Sequence, residues 1–335
     1  MQRTRYYLLL AALSGLLLVS FVIALTSGSV AIPVSTLWQQ VIQPVPGPEH
    51  QILYELRLPR ALAAFVCGAL LALSGIIMQV LLRNPLADPY ILGISGGAAT
   101  GALLVIVLGA GGVWATAWWG HLLIGQAAFL GALVSVLLVF GLATTSGGWS
   151  STRLLLTGVV ISAGWGAAIN VLLTTSNNHT VQSMLFWLMG DLSQSRVRAW
   201  HFLLLLGGLA LMLWQARALN ALARGELVAA SLGVPVVQLK ALLYVMAALM
   251  TATSVTVAGS VGFVGLVIPH VLRLAGARDH RWLIPGAVLL GGSFLMLADS
   301  LARTVLAPRQ LPVGVLTAIL GVPAFLYILH WRRGR

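Results

Sequence analysis

Long apolar runs separated by short polar segments dominate this chain and give the first prediction of its fold. Most of the runs approach the roughly 20 residues that an α-helix needs to cross about 30 Å of hydrocarbon. They lack the alternating pattern of about ten residues that is typical of membrane strands. We therefore predict an all-α, polytopic membrane protein with about ten transmembrane helices, at residues 6–25, 61–82, 91–108, 122–143, 154–173, 199–216, 241–257, 261–274, 283–301 and 313–331.

Two parts of this pattern allow another interpretation. The first follows Arg3 and Arg5, as in a signal peptide, but its length of about 20 residues exceeds the roughly 7–15 of a signal core, so a retained helix is favoured. The stretch 241–274 reads either as one long helix or as two segments broken near Gly259 and Gly262.

The distribution of Lys and Arg decides between nine and ten spans. Cytoplasmic connections of membrane proteins carry an excess of basic residues. Ten spans with the N-terminus inside place 13 of the 19 basic residues in the cytoplasm, whereas nine spans place only 9 there. We therefore predict ten spans, both termini in the cytoplasm, and a short eighth helix that is tilted or begins below the outer surface.

Composition agrees with a membrane protein and narrows its chemistry. Hydrophobic residues make up 59% of the 335 positions and charged residues 8%, against roughly 25% charged in a soluble protein. The net charge is +12, and the arginines that produce it cluster between apolar runs. We therefore interpret the basic residues as a topology signal and expect no nucleic-acid partner. The single cysteine, Cys67, lies within an apolar run and excludes a disulfide framework or a cysteine metal site.

A polar turn at residues 84–88 separates the second and third runs. Pro85 and Pro89 remove backbone donors and end the preceding helix, while Asn84 and Asp88 offer side-chain acceptors for the freed amides. A turn with so many conformation-determining residues at a membrane boundary indicates a functional element more than a simple linker.

The longer connections also carry predictions. The outer connection 28–57 contains Pro33, Pro44, Pro46 and Pro48, and a brief helix is expected at 35–42. The inner connection 217–240 favours helix but is interrupted by glycine and proline. With no repeat and no appended soluble segment, residues 1–335 read as one transmembrane domain.

Several enzyme and carrier classes lack support. The phosphate-binding loop of P-loop ATPases is absent, so ATP hydrolysis by that route is excluded. Ion-coupled carriers place ionisable groups near the bilayer midplane. The nearest candidate is Asp299, for which an ion pair with Arg303 one helical turn away is the favoured role. For His270, a packing or helix-end role is favoured over contact with substrate. His179 is expected in an outer loop, and a structural role is favoured over substrate contact there too.

Several motifs in order along the chain resemble the FecCD family, the membrane subunits of bacterial ABC importers for ferric siderophores, haem and cobalamin. They occur at residues 57–60, 84–98, 153–158, 262–270, 279–281, 298–303 and 311–318. The resemblance implies a ten-span type II importer permease in the bacterial inner membrane that forms a homodimer around one central pathway. It also implies two ATPase subunits below, a periplasmic binding protein above, and no cofactor on this chain, because ATP and Mg²⁺ belong to the ATPase.

The resemblance also implies roles for individual residues. Docking of the binding protein is expected at the outer arginines Arg57, Arg60 and Arg303. Coupling to the ATPase is expected in the inner connection, at Gly225, Glu226, Leu227, Ala229, Ala230, Leu232 and Gly233. A cytoplasmic gate is expected where the polar turn meets the start of the fifth span, at Asn84, Pro85, Leu86, Asp88, Ser151 and Thr152.

The sequence leaves open the role of three glycines and the identity of the substrate. Gly93, Gly97 and Gly101 lie four apart, which favours close helix packing over a substrate-facing groove. A ferric siderophore or haem is the leading candidate substrate, and cobalamin is the alternative. As a function, an ion-coupled secondary transporter is a more distant alternative to the ABC permease. The chain alone is expected to show neither ATP hydrolysis nor tight substrate binding.

Overall fold

The computed structural model describes residues 2–109, 118–144, 151–193 and 195–331. In these ranges the chain forms fifteen α-helices, a π-helical segment at Ile52–Arg57 and a 3-10 turn at Pro89–Leu92. The helices are α1 Gln2–Thr26, α2 Val34–Ile42, α3 Pro48–Gln51, α4 Leu58–Leu81, α5 Ile94–Gly109, α6 Trp118–Thr144, α7 Ser151–Thr175, α8 Asn178–Met189, α9 Ala199–Trp214, α10 Ala216–Leu222, α11 Glu226–Ser231, α12 Val236–Ala258, α13 Val264–Leu274, α14 His280–Thr304 and α15 Val313–Trp331.

Each of the ten predicted spans corresponds to one of these helices. Six helices of the described ranges are long and apolar enough to cross a membrane, and α9 with α10 forms a seventh candidate that bends by 63°. Three shorter apolar helices, α5, α13 and α15, complete the set. The all-α fold with about ten spans is confirmed.

Helix α4 forms the centre of the bundle. Of its most apolar stretch, 89% is buried, whereas the corresponding figure for α7 is 11%. Helices α12, α13 and α14 pack around α4. A Cβ at Gly75 would lie 1.9 Å from the carbonyl oxygen of Gly265, so glycine at this position permits the close approach of α4 and α13.

The two segments between 241 and 274 are separate helices, as ten spans require. Helix α12 ends at Ala258, and α13 has 11 residues, which at 1.5 Å per residue span roughly half of the hydrocarbon layer. The loop between them is held by hydrogen bonds from within the bundle. The Tyr90 hydroxyl donates to the Val261 carbonyl at 3.0 Å, and the Ser95 and Ser260 hydroxyls lie 3.0 Å apart. The prediction of a short eighth helix is confirmed.

Of the shorter elements, one agrees with its prediction and another differs from it. The brief helix expected at 35–42 is present as α2. His179, which was expected in a loop, lies instead in the first turn of α8. Asn177 caps this helix, because its Oδ1 accepts a hydrogen bond from the Thr180 amide at 2.9 Å.

Candidate functional site

The polar turn between α4 and α5 is built as its sequence predicted. Asn84 Oδ1 accepts a hydrogen bond from the Leu86 amide, and Asp88 Oδ1 accepts one from the Tyr90 amide, each at 2.9 Å. Pro85 and Leu86 are exposed at the tip, where the Leu86 side chain retains 36% of its accessible surface. The turn therefore presents one apolar side chain on a backbone fixed by its own polar residues.

Asp88 carries the clearest electrostatic perturbation in this turn. Burial raises the pKa of the Asp88 carboxyl to about 6, and the hydrogen bond from the Tyr90 amide opposes that effect. The neighbouring residue Tyr90 connects the turn to the α12–α13 loop through its hydroxyl. A change of conformation at the turn would therefore reach a second part of the bundle.

The 3-10 turn Pro89–Leu92, which follows the polar turn, packs against α7. A Cβ at Gly158 would lie 2.3 Å from the carbonyl oxygen of Ile91, so the α7 backbone and the turn are in close contact. Thr152 is exposed in the first turn of α7. Ser151 begins α7, and its side chain lies outside the described residues. The gate itself stays a prediction.

The predicted coupling connection forms two short helices. Helix α10 bends 63° from α9, and α11 lies between Gly225, at φ +130°, and Gly233, at φ +77°. These dihedrals favour glycine, so each glycine ends a helical piece, as the sequence predicted. Helix α11 contacts α12 through an ion pair between the Glu226 carboxylate and Lys240 Nζ at 2.9 Å.

The exposed face of α11 contains most of the predicted contact residues. Leu227 keeps 87% and Leu232 68% of their accessible surface, and Ala230 and Gly233 are also exposed. Ala229 requires a correction, since its side chain is fully buried and is not available to a partner. A helix of six residues has an inner and an outer face, and the sequence motif did not distinguish them.

The three outer arginines are buried, not exposed. Arg60 Nε donates to both carboxylate oxygens of Asp299, at 2.9 and 3.0 Å, and its Nη1 donates to Gln310 Oε1 at 2.9 Å. Arg303 Nε lies 3.1 Å from Asp299 Oδ2, which confirms the ion pair predicted within α14. Asp299 is 1% exposed, so the two guanidinium groups share one buried carboxylate as their counter-ion. We call Arg60, Asp299 and Arg303 the outer ion cluster.

The arginines also hold the end of α1. Arg57 Nη1 donates to the carbonyl oxygens of Leu25 and Thr26 at 2.7 and 2.8 Å. Arg303 Nη2 donates to the carbonyl oxygen of Ala24 at 3.0 Å. Free carbonyl groups at a helix C-terminus need such donors. The arginines therefore join the ends of α1 and α14 to the start of α4.

These contacts change the interpretation of the arginines. Arg57, Arg60 and Arg303 were expected to point outward to a binding protein, yet each is between 5% and 6% exposed and hydrogen-bonded internally. The sequence predicted that they lie at the ends of spans, and the structure places them at the ends of helices. The sequence could not show that carbonyl oxygens and Asp299 converge on them, because those partners are distant in sequence. Direct docking stays a prediction.

The glycine stripe of α5 packs against α6. A Cβ at Gly97 would lie 2.3 Å from the carbonyl oxygen of Gly131, and one at Gly101 would lie 2.1 Å from that of Ala127. Gly93 adopts φ +69° and ends the 3-10 turn. The structure supports close helix packing at these positions over a substrate-facing groove.

The described residues provide no converging set of metal ligands. No group of three or more His, Cys, Asp or Glu side chains comes together within the described ranges. His270 is buried in α13, and His179 is exposed on α8. The two histidines therefore occupy different environments on separate helices.

Comparison with known proteins agrees with this architecture. Residues 16–331 match the model of the FecCD transport family. The chain is 41% identical over 329 residues to the hemin transport system permease protein HmuU of Yersinia pestis, with 96% of each chain covered. It is 38% identical over 338 residues to the vitamin B12 import system permease protein BtuC of Klebsiella pneumoniae, with 100% of this chain and 97% of that protein covered.

A solved structure supports the fold independently. A chain described as an inward-facing conformation of a metal-chelate type ABC transporter superposes with a TM-score of 0.82 at 31% identity, covering 96% of this chain and 98% of that one. The helix arrangement and the sequence matches thus extend over the same length. On this evidence, the chain belongs to the FecCD transport family and is a multi-pass permease of the bacterial inner membrane.

Proposed function

We propose that this permease carries a bulky iron chelate into the cytoplasm, with haem the leading substrate and ferric siderophores next. The observation that carries the proposal is the 41% identity to a hemin permease along 96% of both chains. The described residues offer no metal-ligand cluster, which suits a pathway that passes an intact chelate without binding its metal.

Energy would come from partner subunits. Two copies of this chain would enclose one pathway, two ATPase subunits would dock at α10 and α11, and a periplasmic binding protein would deliver the substrate. ATP and Mg²⁺ would be used by the ATPase, and this chain would bind neither and catalyse no reaction. The apolar outer face of α11 supports the coupling role, because an ATPase surface would bury Leu227 and Leu232.

The orientation follows from charge and from the position of the coupling helices. Both termini would lie in the cytoplasm, with the α10–α11 connection and the polar turn on the same side. The outer ion cluster would lie at the periplasmic surface.

Cobalamin is the second candidate substrate. It is favoured by the 38% identity to a vitamin B12 permease over the full length of this chain. A transport assay separates the candidates: the complex is reconstituted with the binding protein and ATPase of its own operon, and uptake of haem, ferric siderophore and cobalamin is compared. ATP-driven uptake of haem well above that of cobalamin supports the proposal, and the reverse order replaces haem by cobalamin.

An ion-coupled carrier is less well supported by the structure. Such carriers need an ionisable group that gains and loses an ion inside the membrane. Asp299 was the nearest candidate, but two arginine partners hold it at the outer end of α14. A carboxylate paired in this way favours a structural role.

A further inference from the structure

A cavity of about 220 Å³ lies at the end of the bundle that carries the coupling helices. It is bordered by the ends of α4, α10 and α13 and by the start of α14. Its described lining includes Arg83, Arg273, Arg278 and His280, and none of the described lining residues is acidic. We call this cavity the basic pocket. Three arginines that line one small cavity provide strong donors for an anion.

Two of the arginines are available and the third is fixed. The guanidinium groups of Arg83 and Arg278 make no hydrogen bond to the residues that the structure describes, and both side chains are exposed. Arg273 Nη1 donates to Gln79 Oε1, while Gln79 Nε2 donates to the Gly265 and Leu266 carbonyls at 3.4 and 3.3 Å. The pocket therefore combines one positioned guanidinium with two that can close on a ligand.

His280 adds a feature that a general basic surface lacks. Its Nδ1 lies 2.7 Å from Asn220 Oδ1, and Asn220 Nδ2 donates to the Asp279 carboxylate at 2.8 Å. The amide is thereby oriented so that its oxygen faces the ring. In a neutral imidazole Nδ1 then carries the proton and Nε2 is an acceptor.

The Nε2 atom of His280 has no partner among the described residues, although the side chain is only 3% exposed and lines the pocket. A buried acceptor without a hydrogen bond is costly, and a ligand that brings an O–H group would satisfy it. Asp279 is adjacent but is not among the lining residues, and its carboxylate accepts hydrogen bonds from Asn220 and from the Arg281 amide.

We propose that the basic pocket binds a phosphate group that still carries a proton, with its charged oxygens on the arginines and its P–OH donated to His280 Nε2. Free hydrogen phosphate and the phosphomonoester headgroup of a membrane lipid share this chemistry. Sulfate and phosphodiesters lack the proton at neutral pH. The pocket is therefore selective by hydrogen bonding and not by charge alone. The proposal is independent of the transported substrate.

Thermal unfolding of the purified full chain in detergent tests the site. Sodium phosphate and sodium sulfate are titrated at pH 7.5 and equal ionic strength. Phosphate should raise Tm saturably, with an apparent Kd about tenfold lower than that of sulfate, because one hydrogen bond to a buried acceptor is at stake. Arg278→Gln should weaken phosphate binding several-fold. Arg281→Gln removes a nearby exposed arginine that does not line the pocket and is the matched control, with no expected change.

His280→Asn tests the origin of the selectivity. The shorter amide can still donate to Asn220, so the fold is retained, but it no longer offers the Nε2 acceptor. Phosphate and sulfate should then bind with similar affinity. Equal stabilisation by the two anions in the unmodified chain, or an unchanged phosphate response in Arg278→Gln, would overturn the proposal.

The source of the phosphate is separated in nanodiscs without free phosphate. Discs that contain phosphatidic acid should raise Tm and remove the response to added phosphate if the lipid is the ligand, whereas discs with phosphatidylglycerol, a phosphodiester, should not. A response to free phosphate in both kinds of disc identifies the free anion. If bound ATPase abolishes phosphate binding and Arg278→Gln weakens ATPase assembly, the pocket accepts a protein carboxylate and the proposal is wrong.

Discussion

At the scale of single residues, the end of the bundle that contains Arg60 and Arg303 depends on one carboxylate. Asp299 is the shared partner of Arg60 and Arg303, and the Arg303 guanidinium also donates to the Ala24 carbonyl of α1. Buried charges that lose their partner are strongly destabilising, even where the intact pair adds little. The removal of this carboxylate should therefore affect three helices at once.

Asp299→Asn is predicted to lower the free energy of unfolding by about 3–5 kcal/mol, because two buried guanidinium groups lose their compensating charge. Chemical unfolding of the purified permease measures the effect, and Glu55→Gln, at an exposed position near the same surface, is the control. The same preparation should be tested for docking of the binding protein. Normal stability combined with lost docking would contradict the internal role and support direct contact by the arginines.

Asp88 gives a pH-dependent prediction. Its folded pKa of about 6 lies above its ordinary value of 3.8, so the folded state retains a proton that the unfolded state releases. The resulting stability is fully present below about pH 4 and is lost as the pH rises through about 6. Asp88→Asn should remove this part of the pH dependence of Tm between pH 4 and 7. An identical pH profile for the variant would show that Asp88 is not perturbed.

Sequence reasoning at this scale succeeded where partners are local. The pairing of Asp299 with Arg303 follows from their spacing of four, and the capping roles of Asn84 and Asp88 follow from a proline turn. The contact of Arg60 with Asp299 joins residues 239 positions apart, so no local pattern could predict it. The arginines were assigned to docking because they lie at predicted outer ends of spans and match positions of the family.

At the scale of elements, the α10–α11 connection has one face held against the bundle and one face exposed. The glycines on each side of α11 set its direction, while the buried Ala229 and the Glu226–Lys240 ion pair hold it against α12. A force applied to the exposed face would thus be transmitted to α12.

Cysteine crosslinking tests the assignment of that face. Cysteine at Leu227 or Ala230 should crosslink to the ATPase subunit in the assembled complex, because both positions are exposed on α11. Cysteine at Ala229 is the matched control on the same helix and should not react, since that side chain is buried. Crosslinks from Ala229 alone, or from none of the three positions, would refute the proposed orientation.

Hydropathy predicted the long elements because each must span the same apolar thickness. All ten runs became helices, including the short α13 that only the charge distribution had separated from α12. Helix α8 has 12 residues of mixed polarity and follows α7 after a break of two residues, so it gave no distinct apolar signal. The bend between α9 and α10 was hidden within one predicted span that ended at residue 216.

At the scale of the whole molecule, the polar turn connects one end of the bundle to its interior. Leu86 is exposed at its tip, while Tyr90 bonds to the α12–α13 loop. In the proposed homodimer, an apolar tip on a fixed turn is suited to close against the same turn of the second copy and to reopen when the bundle moves.

Leu86→Ala is predicted to raise substrate leak or uncoupled ATP hydrolysis in the reconstituted complex, since it removes the apolar contact of the closed gate. Release of preloaded substrate and ATPase rate without binding protein measure the two effects. Leu104→Ala, at an exposed leucine of α5, should change neither. If Leu86→Ala matches the unmodified complex in both assays, the turn serves only as a helix cap.

The dependence of transport on a partner ATPase is the main consequence of the proposed function. It is tested most directly by uptake of haem into proteoliposomes that contain the permease with or without ATPase and binding protein. Uptake is expected only when all three proteins and ATP are present, and it should not fall when proton and sodium gradients are collapsed. Gradient-driven uptake by the permease alone would contradict the proposed function.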